Sequence, residues 1–399
     1  MFKEFQIDAR KQERKFLRSL KKQEYFHTVT GAVNTVVEIS KCHLTIKTMK
    51  GAKAWKLSRT RLRQAISYIF YRRTAIRKDL ETYTQFTSAM LAILFQCFNG
   101  TAHVKRLKNG LLRLTLTGVR FHASGTERDP FIRTLLKKVS GKYVLFNYFH
   151  IRKDKHFHQV LESENLFCVI DSGAFSVFKR KELLKTKQNH AIQLHEPFQM
   201  ELFEDGEVDY ISLEEYAAFI KEHCHNKRIL GFFNLDVIHN PIETKKNFNK
   251  LRQLVPHAKI YPVWQCTDSF EELEQLVNDP SNEVVGIGGL VPFLSNRQEF
   301  VRDLLNHIFA KYPQGNYHFL GGANSMLLEY PFFSTDTTAF LNCRKNGDRK
   351  VYVPSGHRVE APMDMDTVSI MTQNLEFLSG LEKRKMDKQL SFENMLNIA

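Results

Sequence analysis

A chain of 399 residues with 43% apolar and 12% aromatic side chains has enough hydrophobic material for one or two folded domains, which excludes a disordered protein. No apolar run approaches the roughly 18 residues of a membrane-crossing helix. The opening MFKEFQIDARKQERK is charged throughout, so neither a span nor a secretory leader is expected, and the expected location is the cytoplasm. The net charge of +15 is unevenly spread: residues 1–140 hold 29 Lys and Arg against 9 Asp and Glu, and residues 141–399 hold 29 against 34. That is the pattern of one module that grips a polyanion and a second with another task.

Residues 1–140 are therefore read as a basic, mainly helical nucleic-acid-binding domain. In SRTRLRQAISYIF, Leu62, Ala65, Ile66 and Ile69 recur at the spacing of one helical face, with Ser58 placed as a cap. AIRKDLETY predicts a second short helix and TSAMLAILFQCF a third. Two apolar runs then meet through Lys108-Asn109-Gly110, a strong hairpin signal. Three helices and a hairpin over about 57–120 resemble a winged helix-turn-helix, a duplex-binding module. The third helix is rather apolar, so contact with a nucleic-acid backbone would fall mostly to Arg72, Arg73, Arg77, Lys78, Lys105, Arg106 and Lys108.

Residues 141–399 change rhythm. Short apolar runs (YVLFNYF, LFCVIDSG, ILGFFNLDVI, KIYPVWQC, EVVGIGGLV and YHFLGGAN) alternate with amphipathic stretches such as SLEEYAAFIKEH and PIETKKNFNKLRQLV. Strand followed by helix, repeated, predicts an α/β domain with parallel pairing, and seven or eight units favour a (β/α)8 TIM-type barrel. No GxGxxG opens a helix after the first strand, which weakens a dinucleotide-binding alternative. Residues 179–208 read as an insertion in one loop. The six cysteines lack CxxC spacing, and His223-Cys224-His225 points its side chains in different directions along a helix end, so neither disulfides nor a metal site is expected.

In such a barrel the chemistry lies where strands end. The strand ends carry Asp171 and Ser172, then Asp236, Gln265, the Gly288-Gly289 pair and, further on, Asp336. An aspartate after a strand is often only a turn or cap residue, but several converging on one face make a site. Two carboxylates facing an anomeric carbon can displace a base from a sugar, one as nucleophile and one moving protons. An Asp with a Gln can read the edge of a purine-like ring, and glycines let backbone approach it. Phe175 and Trp264 could pack on that ring, although the core is the more ordinary place for them.

These segments carry a resemblance. DSGAFS resembles the DSGGFQ-type motif of the tRNA-guanine transglycosylase superfamily, and NLDVI, VWQC, GIGGLV and HFLGGANSMLLEYPFFSTDTTAFL follow in that family's order over roughly 143–350. The chain is most similar to the phage and bacterial branch that inserts 7-deazaguanine bases into DNA. The resemblance implies that Asp336 is the nucleophile that expels guanine and Asp171 the general acid/base. Asp236 and Gln265 would read the base edge, with Ser172, Gly288, Gly289 and Leu290 lining the pocket. The implied partners are DNA, a 7-deazaguanine base such as 7-cyano-7-deazaguanine and, as an open point, a second copy of the chain in a homodimer. If the chain is phage-encoded, its location would be the host cytoplasm. The cysteine-rich zinc site of the tRNA enzymes has no counterpart, since only Cys343 lies in that region, so no cofactor is expected and DNA is favoured over tRNA. The same reaction on tRNA, or a non-catalytic nucleic-acid-binding subunit, stays as the alternative.

Overall fold

The computed structural model describes residues 3–384 apart from 22, 50, 52, 179–209 and 295. The expected insertion at 179–208 lies outside the described residues. The chain divides into two units, Met1–Gly118 with Val277–Ser281, and Val119–Leu276 with Asn282–Ala399.

The first unit opens with helix α1 (Gln6–Leu20), which turns Ala9, Phe16 and Leu20 inward together with Glu13. Glu13 is held by Arg59 at 2.8 Å and Arg63 at 3.4 Å, so its charge is paired where water is excluded. An antiparallel sheet follows in the order β1 (Tyr25–His27), β2 (Val33–Ile39), β3 (His43–Thr48), β4 (Trp55–Ser58). Next come α2 (Arg59–Arg72), β5 (Thr74–Ile76), a 3-10 turn (Arg77–Leu80), α3 (Thr87–Cys97) and the hairpin β6 (Ala102–Arg106) and β7 (Leu112–Leu116). Strand β5 joins the hairpin in the order β5-β7-β6. The predicted face of α2 is fully buried at Leu62, Ala65, Ile66 and Ile69. The hairpin turns where expected, with Gly110 at φ +80° and its N–H on the Leu107 carbonyl at 2.8 Å.

The unit is mixed rather than mainly helical. In β3 and β4 the buried positions Leu44, Ile46, Trp55 and Leu57 alternate with exposed or half-exposed polar ones, the period-two pattern of a sheet with one wet face, while β2 buries Asn34 and Val36 and exposes Val37 and Ile39.

The second unit is a ring of nine parallel strands: β8 (Arg120–Ser124), β9 (Tyr143–Asn147), β10 (Phe167–Asp171), β11 (Ile229–Phe233), β12 (Ile260–Tyr261), β13 (Val263–Gln265), β14 (Val285–Gly288), β15 (Tyr317–Phe319) and β16 (Ser334–Thr337). Strand β8 pairs with both β9 and β16, and the rest follow in chain order, giving a nearly closed barrel of TIM type. Strands β12 and β13 are two halves of one stave. Pro262 between them has no N–H to give the ladder, so β12 pairs only with β11 and β13 only with β14, while the Pro262 carbonyl still accepts from Gly286 N–H at 2.8 Å.

Helices fill the connections, and their starts follow from side-chain caps. Asp129 caps α4 (Pro130–Lys138), and Asn240 caps a later helix at Pro241–Leu254. Ser212 and Glu215 form a capping box at Leu213–His223. The barrel begins at Val119, not at 141: RFHAS, read above as part of the basic domain, is its first stave. Among the described residues no three or more His, Cys, Asp or Glu side chains are placed to hold a metal ion, and no helix is long and apolar enough to cross a membrane. All six cysteines are unbridged.

Candidate active site

Parallel staves end at one mouth of the ring, so the residues that terminate β8, β10, β11, β13, β14 and β16 share it. Strand β8 is buried throughout, and its alternate residues Arg120, His122 and Ser124 form its polar face. At the mouth, Ser124 donates to Asp336 Oδ2 at 2.7 Å. Asp336 Oδ1 accepts from the Gly321 N–H at 2.9 Å and lies 3.1 Å from His318 Nε2. His318 Nδ1 in turn lies 2.8 Å from the Ser334 hydroxyl. His318 Nε2 donates to the carboxylate, and the Ser334 hydroxyl can either donate to or accept from Nδ1.

Burial alone would push the Asp336 carboxyl up. The hydrogen bond and charge of His318, with the Gly321 N–H and the Ser124 hydroxyl, outweigh it and hold the group below the usual carboxylate range. Asp336 is thus a buried carboxylate kept ionised.

Asp171 has the opposite setting. Burial raises it first, the charges of Asp236 and Asp336 raise it further, and it reaches about 7 despite accepting from the Gly173 N–H at 3.0 Å. The turn after it needs a glycine: Gly173 has φ +86°, and a Cβ there would come within 2.4 Å of Asn147 Oδ1 and 2.7 Å of Phe149 Cβ. Asp236, two residues past the Asn234 that follows β11, is raised by burial to about 6, with its own backbone and Ser172 opposing. Ser172, fully buried, has its hydroxyl 3.5 Å from Asp236 Oδ1. Asp171, which feels the charges of Asp236 and Asp336, therefore differs in protonation from Asp336, the condition for splitting acid/base and nucleophile roles.

Gln265 does not have the freedom a base-reading amide needs. Its Nε2 donates to the Val237 carbonyl at 2.9 Å and to Thr244 Oγ1 at 3.3 Å, and its Oε1 accepts from the His239 N–H at 3.1 Å. It braces the loop that carries Asp236. Gly288 ends β14, its carbonyl taking the Cys266 N–H at 3.2 Å; Gly289 has φ +76°, and a Cβ on it would sit 3.1 Å from Cys266 Sγ. Leu290 is fully buried. Trp264 is core, its Nε1 donating to the Ser269 carbonyl at 2.9 Å, and Phe175 is exposed.

Two residues of the site, Ser124 and His318, escaped the sequence reading. The alternation Arg-Phe-His-Ala-Ser in β8 carried a signal: it is a strand with one polar face, here turned into the buried interior.

The cations named for nucleic-acid binding separate into two groups. Arg72 and Arg73 are buried, and Arg73 Nη2 faces the Leu116, Thr117 and Gly118 carbonyls at 3.2, 2.6 and 2.6 Å, so these two are corrected to structural residues. Arg77 is exposed and reaches Thr87 Oγ1 at 3.2 Å; Lys78, Arg106 and Lys108 are exposed and Lys105 is half-buried. Helix α3 buries eight of its eleven residues and leaves only Ser88, Phe95 and Gln96 at the surface, so little of it is available to enter a groove.

No protein-family model matches the chain, and a comparison with curated proteins finds none similar in sequence.

Proposed function

We propose that the protein is a nucleic-acid base-exchange transglycosylase, replacing guanine with a 7-deazaguanine through a glycosyl-enzyme, with DNA as the substrate. One observation carries the reading: at the mouth of one parallel barrel, Asp336 is held ionised by three donors while Asp171, within reach of its charge, is pushed to about 7.

In the first half-reaction an Asp336 oxygen attacks C1′ of the guanosine unit. The C1′–N9 bond breaks, its electron pair leaves with guanine, and Asp171 supplies the proton. The sugar is then an ester of Asp336. In the second half Asp171, now a carboxylate, takes the N9 proton of the incoming 7-deazaguanine, N9 attacks C1′, and the Asp336 ester bond breaks. Asp236 and Ser172 bind the base edge, the Gly289-Leu290 backbone lines its pocket, and Gln265 positions the Asp236 loop. The winged-helix reading of the first unit is supported by its order of helix, strand, turn, helix and hairpin with β5 added to the hairpin. The basic charge of residues 1–118, 24 Lys and Arg against 7 Asp and Glu, supports a polyanionic substrate.

The test is to incubate the full chain with duplex DNA, single-stranded DNA or tRNA and 7-cyano-7-deazaguanine, digest to nucleosides and analyse by mass spectrometry. Modified deoxyguanosine is expected with the wild type and none with Asp336→Ala. Modified guanosine in tRNA alone would move the substrate to RNA, and equal product from the variant would remove Asp336 from the chemistry.

A further inference from the structure

One strongly basic surface of the first unit is not used by the winged-helix reading. Helix α1 has a consistent division of faces. At about 100° per residue, Arg10, Lys11, Arg14, Lys15 and Arg18 fall within an arc of about 140°, opposite the buried Ala9, Glu13, Phe16 and Leu20. All five cations are exposed, and none forms an ion pair with a carboxylate among the described residues. The buried acid on the other face, Glu13, is already taken by Arg59 and Arg63, so it neutralises nothing on this side. Asp8 is the one exposed acid of the helix. A solvated helix face usually mixes charges of both signs at i and i+4 spacing; this one stacks like charges at 10, 14 and 18 and at 11 and 15, a repulsion of a few tenths of a kcal/mol per pair that a bound polyanion would relieve.

A second feature adjoins that face. A groove of about 280 Å³ opens beside the C-terminal half of α1, lined by Lys15, Ser19, Gln23, Tyr25, Gln96 and Asn99. Tyr25 is 45% exposed and packs edge-on against His27 at 5.5 Å, which leaves its ring as a platform at the rim. A cation, an exposed aromatic ring and three side-chain amides around one nucleotide-sized space are the parts a site needs to hold an unpaired nucleotide: phosphate on the cation, base on the ring, base edge on the amides.

We infer that the exposed face of α1 and this groove bind a single-stranded segment of nucleic acid, the helix tracking the phosphates and one base lying on Tyr25. This rests on the nucleic-acid side of the function proposed above but not on its chemistry. An anionic lipid surface would also meet the five cations, but it would have no use for the amide-lined groove, so the nucleic acid is favoured.

The experiment measures binding of the full chain to a fluorescent single-stranded oligonucleotide, to its duplex and to phosphatidylserine vesicles over a series of salt concentrations. The triple variant Arg10→Glu, Arg14→Glu, Arg18→Glu is expected to weaken oligonucleotide binding at least ten-fold and to flatten the dependence of log Kd on log salt by about 2. The matching triple Lys variant should restore both. Tyr25→Ala should cost about ten-fold for the single strand and leave the duplex unchanged. Thermal melts matching wild type show that the variants fold. Unchanged binding by the charge-reversal variant, failure of the Lys variant to restore it, equal losses for single strand and duplex in Tyr25→Ala, or tighter binding to vesicles than to oligonucleotide would each overturn the inference. Loss of binding in the variants while no nucleic acid undergoes base exchange upholds this surface and sinks the transglycosylase; base exchange with binding unchanged does the reverse.

Discussion

Asp171 is the residue at which stability and function pull in opposite directions. Between the ordinary carboxylate range and about 7 the folded chain keeps a proton on Asp171 that the unfolded chain has already released, so its contribution to stability falls as pH rises through that window. Asp171→Asn removes the penalty while leaving an oxygen for the Gly173 N–H. Its melting temperature should exceed wild type by several degrees at pH 8, corresponding to about 1–3 kcal/mol, and match it near pH 4. The same ionisation sets a kinetic signature. Formation of the Asp336 adduct, followed in a single turnover by intact mass, needs Asp171 protonated and should slow as pH rises through about 7. In Asp171→Asn the adduct should form far more slowly and without that limb. A variant that keeps the wild-type profile would assign the proton transfer to another group, Asp236 being the nearest candidate by its own raised value.

At the scale of elements, the nucleophile candidate is tuned by strands distant in sequence. Ser124 ends the first stave and reaches Asp336 across 212 positions of chain, His318 lies on β15, and the Gly321 N–H comes from the loop after it. Ser124→Ala removes one of the bonds that lower Asp336, so the acid limb of adduct formation should move to higher pH with the rate at pH 7 reduced about ten-fold or less; an unmoved limb would mean that Ser124 only fills space. The sequence disclosed Asp171 and Asp236 because each follows a short apolar run, whereas the side-chain caps Ser212 and Asn240 came only with the structure. It did not disclose Ser124 or His318. A strand whose polar face is turned into a barrel interior alternates just as a half-solvated strand does, and only pairing with β16 and β9 distinguishes the two. Gln265 failed differently: amide chemistry was legible, but whether its hydrogen bonds were free depended on a loop, Val237 to His239, with no strong signal of its own.

For the whole chain, charge asymmetry was the most legible property and domain limits the least. The excess of Lys and Arg falls almost wholly within residues 1–118, yet Arg120, Arg133 and the other cations between 119 and 140 belong to the barrel unit, which is why a composition count placed the boundary too late. The sheet β1-β2-β3-β4 went unread because its strands are short and its exposed face is rich in Thr, Lys and Glu, which lowers the apolar signal in any window. The interrupted stave at Pro262 has a consequence for motion. A ring transmits strain round its circumference only as well as its poorest seam, and here the seam consists of two residues on one side of a proline and three on the other. Spontaneous opening should begin there, so amide protons of Phe232, Asn234 and Gly286 should exchange with deuterium faster than those in the five-residue ladder between β9 and β10. Since Gln265 closes that stave and braces the Asp236 loop, the same breathing would widen the mouth on one side only and give a base an entrance that leaves the Asp336 side of the ring shut.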